Sequence, residues 1–135
     1  FNSHIIPGVI NRMHEAKKEN QIFKAWGTGT PKRDFLFVDD CAKAISIILD
    51  NRFKGSINIA SGNQHSIYEV VNYIKEIINF KLDIEWDNSK PDGQMERAIN
   101  ISKIKKLGWV NQNSLKTGLE ITVKWFLENQ DKARV

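Results

Sequence analysis

The sequence predicts an α/β layer fold with some parallel strand pairing, and three observations carry that expectation. Short β-branched or aromatic runs alternate with segments whose apolar residues recur at helical spacing. Turn-forming clusters such as Gly27-Thr28-Gly29-Thr30-Pro31 and Ser61-Gly62-Asn63 punctuate the alternation. No repeat or linker divides the 135 residues, a length suited to one domain.

In order, Ile6, Val9, Ile10 and Met13 share a helical face, and Pro7 suits a first turn, so a helix is expected from Pro7 to Lys18. Gln21 to Trp26 reads as a short strand, Gly27 to Pro31 as a turn, and Phe35 to Val38 as a more buried strand. Asp39 or Asp40 is placed to cap the helix carrying Ala42, Ala44, Ile45, Ile48 and Leu49. Ser56 to Ala60 has strand composition. Ser66 with Glu69 three residues on forms a capping-box pattern, followed by the apolar face Ile67, Val70, Val71, Ile74, Ile77 and Ile78. Leu82 to Trp86 reads as a strand, Asn88 to Asp92 as a loop, and Ser102 to Leu107 as a short helix closed by Gly108. The last helix is expected from Ser114 to Asn129, with Leu115, Leu119, Val123, Trp125 and Phe126 inward.

Composition narrows the classes. A hydrophobic fraction of 41% is ordinary for a globular chain, no apolar run approaches the roughly 18 residues of a membrane span, and the first residues lack a basic head with an apolar core. A soluble, cytoplasmic protein without membrane contact is expected. The single cysteine, Cys41, excludes an internal disulfide, and with three scattered histidines it makes no metal site. The net charge of +4 favours anionic partners, but the lysines are spread along amphipathic segments, so nucleic acid is not an expected partner.

Chemistry concentrates around the glycine-rich turn. Trp26 precedes it, Lys32-Arg33 follows, and an apolar run then leads to Asp39-Asp40. An indole packs against sugar or base rings, and guanidinium groups offer fixed donors to phosphate oxygens. Arg12, Trp26 and Arg33 are thus candidate ligand contacts, although Arg12 reads equally as a solvated helix residue, Trp26 as core, and Arg33 as a partner of Asp34 or Asp39. With about 1.5 Å of rise per helical residue, His4 and Arg12 fall on the order of 10 Å apart, which suits two contacts to one extended ligand. Asp92, in Lys90-Pro91-Asp92-Gly93, is a candidate acceptor for ribose hydroxyls or a base edge, or a simple turn former. Lys32 should point away from Arg33, and Asp39-Asp40 suits a cap and a sheet-edge partner better than a catalytic pair.

Taken together, His4-Ile5-Ile6-Pro7 with Arg12 and His14-Glu15-Ala16-Lys17, Trp26-Gly27-Thr28-Gly29-Thr30-Pro31, Arg33 to Asp40, Lys90 to Gly93, Leu107-Gly108-Trp109 and Trp125 to Asn129 resemble the carboxy-terminal part of the GDP-L-fucose synthase family. The resemblance runs from Ser3 to about Asn129. It implies the substrate-binding portion of an extended short-chain dehydrogenase/reductase with an incomplete Rossmann sheet. The whole enzyme would epimerise a GDP-4-keto-6-deoxy-mannose at C3 and C5, reduce C4 with NADPH, and form a homodimer. The resemblance further implies that His4 is catalytic and touches the cofactor, and that Arg12, Trp26, Arg33 and Asp92 bind the GDP-sugar. An imidazole suits acid/base work near neutral pH. His14 and His65 lack such context and suit surface or capping roles.

No G-x-G-x-x-G or P-loop occurs in the chain, and Gly27-Thr28-Gly29 lacks both a third glycine and a following helix. The resemblance places the NADP-binding glycines, the Tyr-x-x-x-Lys and the partner cysteine in a preceding amino-terminal region, so the chain alone is expected to be inactive in reduction; Cys41 falls where the family has packing residues, which implies a buried structural thiol. Gln94-Met95-Glu96-Arg97 departs from the more basic run usual in bacterial members. Another GDP-4-keto-deoxy-sugar or GDP-heptose epimerase/reductase, or a non-catalytic nucleotide-sugar binding module, fits the same residues.

Overall fold

The protein is described here by a computed structural model covering residues 4–133. Its elements are α1 (Ile5–Lys18), β1 (Phe23–Trp26), β2 (Lys32–Asp34), α2 (Val38–Asp50), β3 (Gln64–Ser66), α3 (Ile67–Ile78), β4 (Ile84–Asp87), α4 (Ser102–Lys106) and α5 (Leu115–Glu128), then a 3-10 turn at Gln130–Lys132. Strands β1 and β4 pair in parallel, with Phe23 opposite Ile84 and Trp26 opposite Asp87; β2 and β3 pair antiparallel, with Arg33 opposite His65. The fold is therefore α/β, as the alternation requires, and among the described residues each sheet is two strands wide.

The main core lies where α1, α3 and α5 cover the parallel pair. Ile10, Met13, Phe23, Val70, Ile74, Leu119 and Val123 are all nearly inaccessible to solvent there. A smaller cluster of Ala44, Ala60, Ile101, Ile104 and Trp109 holds α2 to α4. Helix α3 follows its sequence pattern closely. Ser66 Oγ accepts from the Glu69 amide and Glu69 returns a bond to the Ser66 amide, while Val70, Val71, Ile74 and Ile78 face inward.

Elsewhere the expectations shift. Helix α1 begins at Ile5, which still leaves Pro7 in the first turn, where its missing N–H costs nothing. The expected strand at Phe35 to Val38 is displaced: the ladder runs through Lys32–Asp34, Phe35 to Phe37 are irregular and half-buried, and Val38 is already helical. Neither Asp39 nor Asp40 caps α2, whose N-cap is Phe37; both lie inside its first turn, where negative charge suits the helix dipole. Asp40 is fully buried, and its Oδ2 accepts from the backbone and side-chain nitrogens of Asn113 at 2.9 and 3.1 Å. Ser56 to Ala60 forms no strand. No backbone–backbone hydrogen bond of the described residues involves Ile57 to Ala60, so its strand-like composition lacks a neighbour to pair with. Cys41 is partly exposed, not buried, and Trp125 is 51% exposed on the outer side of α5 while Phe126 fills the core.

Candidate functional site

The site is built around the turn joining β1 to β2. Gly27 and Gly29 have φ of +75° and +74°, the left-handed region that glycine enters without a Cβ clash. The Gly27 amide donates to the Asp87 carbonyl, continuing the β1–β4 ladder, while the carbonyls of Gly29 and Pro31 accept from the amides of Tyr68 and Ile67 at 2.8 and 2.9 Å. With Ser66 Oγ on Glu69, the first three amides of α3 are thus satisfied internally. That helix end is not free to hold an anion.

Between this turn, the start of α1 and the loop after β4 lies a pocket of about 580 Å³. It is lined by His4, Ile5, Gly8, Val9, Asn11, Arg12, Ala25, Trp26, Gly29, Pro31, Ile67, Val71, Trp86, Pro91 and Asp92. Four of the residues expected to contact a ligand, His4, Arg12, Trp26 and Asp92, therefore meet in one cavity, although His4 and Asp92 lie far apart in the sequence. Arg33 is not among its walls. It sits on β2 opposite His65, with Nη1 donating to the Lys32 carbonyl at 2.7 Å.

Each wall residue is held differently. His4 is the N-cap residue of α1 and exposed at the pocket's edge. The Arg12 guanidinium lies 5.3 Å from the Phe23 ring centroid and 5.5 Å from that of Trp26, and donates to the Gly8 and Lys24 carbonyls at 3.3 Å each. Desolvation by these surroundings draws its pKa below the ordinary value, but the guanidinium stays charged. No carboxylate of the described residues forms an ion pair with it. Trp26 is 59% exposed, so it is not a core residue. The arrangement offers an aromatic face, an uncompensated cation and an apolar floor, which suits an anionic ligand carrying a planar ring.

Asp92 is already engaged. Its Oδ1 accepts from the Thr28 amide and its Oδ2 from the Thr28 hydroxyl, both at 2.7 Å. Trp86, from β4, stacks on Tyr68 with centroids 5.8 Å apart and forms part of the floor. Sequence reasoning passed over Trp86 and Thr28; the period-2 alternation of β4, which puts Trp86 on the Ile84 side, was the available signal for the first. Asp34 was weighed only as a partner of Arg33, whereas its two oxygens accept from the amides of Ser61 and Gly62 at 2.8 Å each, tying β2 to the loop before β3.

The remaining titratable candidates lie elsewhere. His14 packs edge-on against Phe126, and burial, followed by the Lys18 charge, lowers its pKa. His65 is 3.9 Å from Glu69 at the start of α3. Cys41 does not reach the pocket, and Glu96 is exposed outside it. Among the described residues no group of His, Cys, Asp and Glu could hold a metal ion, and no helix is long and apolar enough to cross a membrane.

Comparison with known proteins converges on one group. The model of the NAD dependent epimerase/dehydratase family matches residues 1–60. GDP-L-fucose synthase 1 of Arabidopsis thaliana is 41% identical over 95% of this chain, and GDP-L-fucose synthase of Escherichia coli 36% identical over 98% of it. The chain spans only 40% and 45% of those two relatives. A crystal structure of a GDP-L-fucose synthetase from Naegleria fowleri bound to NADP superimposes with a TM-score of 0.89 at 28% identity, covering 98% of this chain and 43% of that one.

Proposed function

For a chain homologous over nearly its whole length to GDP-L-fucose synthases, we propose that the pocket is the nucleotide-sugar site of a GDP-sugar epimerase/reductase. The observation that carries this reading is the convergence of His4, Arg12, Trp26 and Asp92 on one cavity. Arg12, lacking a carboxylate partner among the described residues, neutralises the diphosphate, and Trp26 packs on a ring. His4 exchanges the proton α to the C4 ketone: its imidazole nitrogen takes the proton from C3 or C5, the electron pair delocalises onto the ketone oxygen, and a proton returns on the opposite face. That second proton needs another acid, which Cys41, remote in α2, does not provide. In this reading the sugar is a GDP-4-keto-6-deoxy-mannose.

Hydride chemistry is assigned to another part of the enzyme. Residues suited to a dinucleotide pyrophosphate would form a glycine-rich turn opening into a helix. Here the Gly27–Pro31 turn leads into β2, and the first amides of α3 are taken by that turn and by Ser66. The turn and helix start present do not fit the NADP pyrophosphate, so in this reading the chain contributes His4 alone to the cofactor, and the stretch of the relatives that it does not span is the proposed source of the rest of the cofactor site. The same reading accounts for α2, where Val38, Ala42, Ile45 and Leu49 form one exposed apolar stripe, and for the unpaired Ser56 to Ala60 segment: both await an α/β neighbour.

Calorimetric titration with GDP tests the site. The chain should bind GDP, and Arg12→Ala should weaken binding by about tenfold or more through loss of a charge-assisted contact. Equal affinity of both proteins, with unchanged circular dichroism, would remove Arg12 from the site and the reading with it.

A further inference from the structure

We propose that Thr28 and Asp92 form a positioning clasp that holds the turn after Trp26 against the loop after β4, so that Thr28 is a positioning residue for the indole. The inference rests on the nucleotide reading of the pocket and deepens it. Both carboxylate oxygens of Asp92 are used by Thr28, one by its amide and one by its hydroxyl, each at 2.7 Å. The Thr28 hydroxyl also lies 2.6 Å from that of Thr30, so the bond direction along this row is fixed once Asp92 takes the Thr28 proton. Gly27 is closed over by the same carboxylate: a Cβ there would collide with Asp92 Oδ1. Two loops distant in sequence are thereby locked together at the residue following Trp26.

Trp26 needs such a device. It is more than half exposed, it ends β1, the Arg12 guanidinium lies over its ring at 5.5 Å, and its backbone runs straight into the turn at Gly27. A ring held only by a flexible turn would lose rotational freedom on each binding event, whereas a clasped turn removes that cost beforehand. Charge reinforces the clasp, because a hydrogen bond to an ionised acceptor is stronger than a neutral one.

The test separates positioning from recognition. GDP, UDP and ADP are titrated into the chain and into Asp92→Asn, Thr28→Val, Thr28→Ser and the double variant Thr28→Val/Asp92→Asn. The clasp predicts that Asp92→Asn and Thr28→Val each weaken all three nucleotides by a similar factor, roughly tenfold, with the order of preference unchanged. Thr28→Ser, which keeps the hydroxyl, restores binding, and the double variant is no worse than either single one. A selective loss of GDP in Asp92→Asn, with Thr28→Val unaffected, would overturn the clasp and make Asp92 a base reader. If the unaltered chain binds no nucleotide, the reading of the pocket fails separately; hydrogen exchange at the Thr28 amide then decides the clasp, which is overturned if protection is the same in Asp92→Asn.

Discussion

Trp86 occupies the space that a side chain on Gly29 would fill: a Cβ built at Gly29 comes within 2.5 Å of the indole. The glycine is required twice over, since its φ of +74° also disfavours any L side chain. Gly29→Ala should therefore destabilise the fold by about 2 to 4 kcal/mol, read as a lower urea midpoint, from left-handed strain plus displacement of the ring. Trp86→Ala in the same protein should recover only the part due to the clash. Full recovery in the double variant would show that backbone strain contributes nothing.

Asp40 gives the fold a pH dependence of known sign. Burial alone would raise its pKa, but hydrogen bonds from the Asn113 backbone and side chain, then the Gln112 backbone and the Lys43 charge, outweigh burial and hold it below the ordinary 3.8. A carboxyl depressed in the folded state adds stability above its unfolded pKa, and that stability is lost as pH falls through the folded value. Urea midpoints should accordingly drop below about pH 4, and Asp40→Asn should flatten part of that slope. The Glu69 carboxyl, lowered first by the Ser66 amide, supplies another part. A wild-type profile retained in Asp40→Asn would place the titration elsewhere.

His4 is tested by isotope exchange. In an enzyme made by joining this chain to the section of a relative that it does not span, His4→Asn should suppress solvent-deuterium incorporation at C3 and C5 of the 4-keto sugar by about a hundredfold or more. GDP affinity should change little, because the charge contact belongs to Arg12. Deuterium entering at the wild-type rate would deny His4 the proton-transfer role.

Locally specified features were readable in the sequence, and those depending on distant chain were not. The Ser66–Glu69 cap, the inward face of α3 and the break at Gly108 follow from neighbours within a few residues, and all are present. Ser56 to Ala60 has strand composition, but a strand exists only with a partner, and none of the described residues supplies one. Trp125 is expected inward beside Phe126, yet α5 packs its Leu119, Val123 and Phe126 stripe into the core and leaves the indole half exposed. The site divides likewise. Residue type and the motifs of the resemblance single out His4, Arg12, Trp26 and Asp92 as candidates, but only the fold brings the loop after β4 onto the β1–β2 turn and leaves Arg33 outside the pocket's walls.

The turn beneath the pocket is also the stopper of α3, because its carbonyls at Gly29 and Pro31 hold that helix's opening amides. Inserting or deleting a residue between Trp26 and Lys32 would uncap a helix whose inner face forms much of the core, so the length of the turn is fixed by folding and not by ligand choice. Divergence toward new ligands is thereby channelled, along this wall, into exchanges of side chains on a turn of constant length, while any change of loop length falls to the far wall after β4.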